Sequence, residues 1–66
     1  MFISISTIKG IDYDVDKSRI VGLRRHLAET NPLYSQWSVF VEGFGLIDIS
    51  KDEYAKINNL LYKDNV

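Results

Sequence analysis

The sequence predicts an α+β fold, mostly β: a small curled antiparallel sheet or open barrel of four or five strands with one C-terminal helix. Three observations lead there. Apolar residues alternate with polar ones through Phe2–Val15 and again through Trp37–Ile49, the period of strands with one buried and one wet face. Glycines fall between the alternating runs, and near residue 50 the pattern changes to the spacing of an amphipathic helix.

In chain order, Phe2 to Ile8 is rich in β-branched residues, with Ile3 and Ile5 on one face and Ser4 and Ser6 on the other, and Lys9-Gly10 offers a turn. Ile11, Tyr13 and Val15 then alternate with Asp12, Asp14 and Asp16, so the two runs form a hairpin. Residues 17–31 read two ways. Ile20, Val21, Leu23, Leu27 and Ala28 can make a helical stripe between Asp16 and Pro32, but Gly22 weakens a helix, and Val21, Leu23 and Leu27 share one face of an extended chain. The reading slightly favours a strand over 19–27 and a loop over 29–36.

Trp37, Val39 and Val41 alternate with Ser38, Phe40 and Glu42, Gly43-Phe44-Gly45 can turn, and Ile47 and Ile49 continue in phase: a second hairpin. Ser50-Lys51-Asp52-Glu53 has the spacing of a capping box, with Ile49 and Tyr54 placed as a hydrophobic staple and two acidic residues at the positive end of the helix dipole. Tyr54, Ile57, Leu60 and Leu61 then form the stripe that packs on the sheet.

Sixty-six residues support one domain, 1–66, with a thin core. There is no cysteine, and His26 is the only histidine, so neither disulfides nor an ordinary zinc site can staple it; self-association is the expected support. The net charge of −1 gives no global attraction to nucleic acid or anionic membranes. No apolar run approaches the roughly 20 residues of a membrane span, and the N-terminus lacks the charged and apolar regions of a signal peptide, so a cytoplasmic protein without membrane partners is expected.

No catalytic set emerges. A serine or threonine nucleophile needs an oriented base, and only His26 could serve; no enzyme activity, cofactor or metal is expected. The run Asp12-Tyr13-Asp14-Val15-Asp16 begins like a calcium loop, but Lys17 and Leu23 stand where that loop needs glycine and a bidentate glutamate. A solvated strand face explains the aspartates better.

Two groups of residues suggest binding. Lys17, Arg19, Arg24, Arg25 and His26 hold five of the nine basic or histidine side chains within ten residues. Tyr34 and Trp37 could supply stacking surfaces beside them, which makes an RNA- or DNA-binding regulator the alternative reading. The plainer explanation is pairing of these bases with Asp12, Asp14 and Asp16 across a hairpin. Phe44 is apolar at a turn tip and is as reasonable an interface anchor as a core residue, whereas Trp37 and Phe40 are expected mainly in the core.

The layout Met1-Phe2-Ile3, Tyr13-Asp14-Val15-Asp16, Ile20, Trp37-Ser38-Val39-Phe40-Val41 and Ser50-Lys51-Asp52-Glu53-Tyr54 resembles the short β-rich bacterial and phage proteins related to the flagellar regulator FlbD. That resemblance implies a small non-enzymatic accessory or regulatory protein and brings no catalytic residues. In order of elements alone the chain is also similar to the carbon-storage regulator family of intertwined RNA-binding dimers. The leading expectation is a homo-oligomeric binding protein that occupies a host protein or sequesters a small ligand.

Overall fold

A computed structural model of the chain describes residues 1–62. It contains five antiparallel strands in two sheets and one C-terminal helix, as the alternation and the cap predict. Strands β1 (Phe2–Ser6) and β2 (Asp12–Asp16) form the first hairpin, with Ile3 opposite Val15 and Ile5 opposite Tyr13. Strands β3 (Ile20–His26), β4 (Gln36–Val41) and β5 (Gly45–Ile49) form a three-stranded meander. A bridge from Thr7 to Ile49, with the Ile8 amide donating to the Asp48 carbonyl at 3.3 Å, joins the two sheets at one corner. A single 3-10 turn, Lys17–Arg19, joins them at another, capped by Asp16 through the Ser18 amide.

The core lies between the two sheets and helix α1 (Lys51–Tyr62). Ile3, Ile5 and Val15 enter from the first hairpin, Val39, Val41 and Ile49 from the meander and Ile57 from the helix, all buried. Tyr13, Ile20, Leu23, Trp37, Ile47, Tyr54, Leu60 and Leu61 pack around them, half-buried.

Of residues 19–27, weighed as strand or helix, Ile20–His26 are strand, but not with the face expected. The pairing with β4 shifts by one residue between Ile20 and Gly22. Such a bulge reverses the alternation, so Ile20 and Leu23 both face the core, whereas Val21 is exposed; Leu27, past the end of β3, is exposed as well. The loop over 29–36 contains a second 3-10 turn, Pro32–Tyr34, in which the Asn31 side chain accepts from the Leu33 amide.

Half of the capping box forms. The Ser50 hydroxyl accepts from the Glu53 amide at 3.1 Å, as the spacing predicts. The Glu53 carboxylate turns instead to the sheet: it accepts from the Ser6 amide at 3.1 Å and pairs with Lys56 at 2.6 Å, and the Lys56 ammonium donates to the Ser4 carbonyl at 3.0 Å. One helix turn thus supplies an acceptor and a donor to the side of β1 that no complete strand covers.

Candidate functional site

Among the described residues the clearest unpartnered surface is the outer face of the β4–β5 hairpin. Because Trp37, Val39 and Val41 pack inward, the alternation sends Phe40 outward, and because Ile47 and Ile49 pack inward it sends Leu46 and Asp48 outward. Phe40 and Leu46 stand directly opposite each other, 46% and 45% exposed. The β3 residue opposite Phe40 is Gly22, which has no side chain to cover the ring. Phe40, expected in the core, is therefore a surface residue: its size suggested burial, but its place in the alternation decides the matter.

The hairpin turn extends this apolar surface. Gly43 and Gly45 have φ of 89° and 86°, a region that side-chain-bearing residues rarely enter, and they hold Phe44 between them. Phe44 is 54% exposed and meets Tyr13 edge-on, ring centroids 5.4 Å apart. Between this turn and the first hairpin runs an open groove of about 220 Å³ lined by Ile8, Ile11, Tyr13, Phe44 and Leu46 among others. Leu46, Ile8 and Ile11 were not singled out from the sequence, though the alternation of Leu46 and Asp48 with Ile47 and Ile49 carried the signal for Leu46.

Beside the apolar pair lies a polar row. Ser38, buried on this face, donates to Asp48 at 3.0 Å, and Arg24 stands opposite Ser38 on the other side. Arg24, Arg25 and His26 are all exposed, yet the register divides them: Arg24 and His26 lie opposite Ser38 and Gln36 on the outer face, and Arg25 lies opposite Trp37 on the inner one. Trp37 is half-buried against the core, and Tyr34 is exposed in the 3-10 turn. Phe44 lies beyond the far end of β4, roughly 17 Å of strand from the His26 end. The structure does not gather Arg24, Arg25, His26, Tyr34, Trp37 and Phe44 into one surface.

The acidic strand is also placed differently from the pairing envisaged for it. Asp12, Asp14 and Asp16 stand opposite Ser6, Ser4 and Phe2 of β1, so they do not pair across a hairpin with Arg24, Arg25 or His26. Asp16 accepts from the Ser18 amide at 3.1 Å and the Ser18 hydroxyl at 3.0 Å. These bonds, the amide foremost, hold its carboxyl below the usual aspartate range, aided by the N-terminal ammonium and Arg19. Among the described residues no group of three or more His, Cys, Asp or Glu side chains could hold a metal ion, and no helix is long and apolar enough to cross a membrane.

A scan of protein-family models and searches of curated proteins and of solved structures find no match to this chain. Its functional reading therefore rests on its own surface.

Proposed function

We propose that this chain is a small, non-enzymatic, homo-oligomeric binding protein that acts by occupying another protein through the outer face of its β4–β5 hairpin. The observation that carries this reading is the exposed cross-strand pair Phe40 and Leu46, continued by Phe44 at the turn. Exposed aromatic and aliphatic side chains set side by side on a rigid sheet are the usual anchors of protein interfaces. The polar row of Ser38 and Asp48 beside them gives such a surface its rim. A regulatory role of the kind implied by the FlbD-type resemblance requires nothing more than this. The small core favours support from further copies.

The test is an NMR titration of isotope-labelled chain with extract of the cell that produces it. The amide signals of Phe40, Phe44 and Leu46 should shift and broaden, and the double variant Phe40→Ser with Leu46→Ser should lose the effect while remaining folded. Perturbation confined to Arg24, Arg25 and His26 and abolished by nuclease would overturn this reading in favour of nucleic-acid binding.

A further inference from the structure

We infer that copies of this chain join edge to edge, the outer edge of β2 in one copy pairing with the outer edge of β3 in the next. The inference rests on the homo-oligomeric part of the proposed function and names the surfaces that join the copies. Among the described residues four strands pair with one neighbour only. Of these, β1 and β5 meet at the Thr7–Ile49 bridge, and β1 is also clasped by Glu53 and Lys56. That leaves the outer edges of β2, paired with β1, and of β3, paired with β4, as the ones no bridge joins. The first carries Asp12 and Asp14, both exposed, and the second carries Arg24, Arg25 and His26, all exposed. A strand edge with unpaired backbone groups invites another strand, and charge decides which one is accepted. Two β2 edges repel each other, as do two β3 edges; only β2 against β3 brings opposite charges together.

The hydrogen-bond phase of each ladder agrees with that pairing and gives its direction. In the first hairpin the Thr7 amide donates to the Ile11 carbonyl at 3.0 Å and the Lys17 amide to the Met1 carbonyl at 2.8 Å. By alternation Tyr13 and Val15 bond to β1, so the backbone groups of Asp12 and Asp14 point to the outer edge. In the meander the Glu42 amide donates to the Arg19 carbonyl at 2.8 Å. The same alternation directs Phe40, Ser38 and Gln36 toward β3 and leaves the backbone groups of Leu23 and Arg25 on its outer edge.

The outward backbone groups thus belong to residues with outward side chains on β2 and inward side chains on β3. A parallel ladder accommodates this with both outer faces on the same side. It can set Asp12 beside Arg24 and Asp14 beside His26 of the next copy, with Tyr13 beside Arg25 on the inner side. The two aspartates and the two outward bases share the two-residue spacing that such a ladder needs. The contact is head-to-tail, so it closes into a ring or extends, according to the rotation between copies.

Native mass spectrometry and light scattering on the full chain and on charge-swapped variants test this. Asp12→Lys with Asp14→Lys, and separately Arg24→Glu with His26→Glu, should each raise the dissociation constant for self-association at least tenfold. An equimolar mixture of the two variants should restore it to within about threefold of the original protein, because every β2 edge then again meets a β3 edge of opposite charge. The variant carrying all four changes should assemble alone, which separates lost pairing from lost folding. A chain that stays monomeric at all concentrations would overturn both the oligomeric reading and this one. An oligomer indifferent to both charge swaps, or mixed variants that do not rescue each other, would overturn the edge pairing alone.

Discussion

Replacing Ile57 with alanine should cost the protein a large part of its stability. Ile57 is the fully buried residue of α1, and the helix packs on β1 and β4. The change removes three carbon groups, worth about 2.5 kcal/mol at about 0.8 kcal/mol each. The cavity left where two sheets and a helix meet adds to this, giving an expected loss of about 3–4 kcal/mol within the range seen for such truncations. A 66-residue domain has roughly 3–10 kcal/mol in all. The variant should therefore melt at least about 12 °C lower and unfold at much lower urea concentration. Urea titration followed by circular dichroism measures this directly. Asn59→Ala, on the exposed side of the same helix, should move stability by no more than about 0.5 kcal/mol. A loss below about 1 kcal/mol for Ile57→Ala would mean that the helix is not docked as described and that the core closes without it.

Two further outcomes follow from local geometry. Ser50→Ala removes the acceptor of the Glu53 amide and should cost about 1 kcal/mol by urea titration; no loss would show that this bond does not hold the helix start. Asp16 has its pKa lowered by the fold, so its contribution to stability is present above the unfolded aspartate value of about 3.9 and is lost as pH falls through the lower folded value. Asp16→Asn should flatten that acid limb in stability measured from pH 5 to 2, and an unchanged limb would refute the assignment.

Most of the fold was legible because it obeys simple periods. Alternation marked β1, β2, β4 and β5, and the serine-to-glutamate spacing marked the start of α1. What escaped was what breaks a period or depends on distant chain. The bulge before Gly22 inserts one residue into β3, and no count along the sequence reveals which neighbour it will face. Glu53 was expected to bond its own helix, but the Ser6 amide, 47 residues away, takes its carboxylate instead. Phe40 was misplaced for another reason: its alternation already pointed outward, and its size was given more weight than its position. The basic residues looked like one patch because they are close in sequence, whereas a strand sends neighbours to opposite faces.

The Glu53–Lys56 clasp on β1 has a consequence for how the protein is made. Ser4 and Ser6 leave the ribosome about fifty residues before the side chains that complete their hydrogen bonds. Until the helix emerges, that side of the first hairpin has no cover, and a lone hairpin is only marginally stable in water. The N-terminal strand, although synthesised first, is among the last to be secured, so a chain stalled before Glu53 would present a bare strand edge to its surroundings.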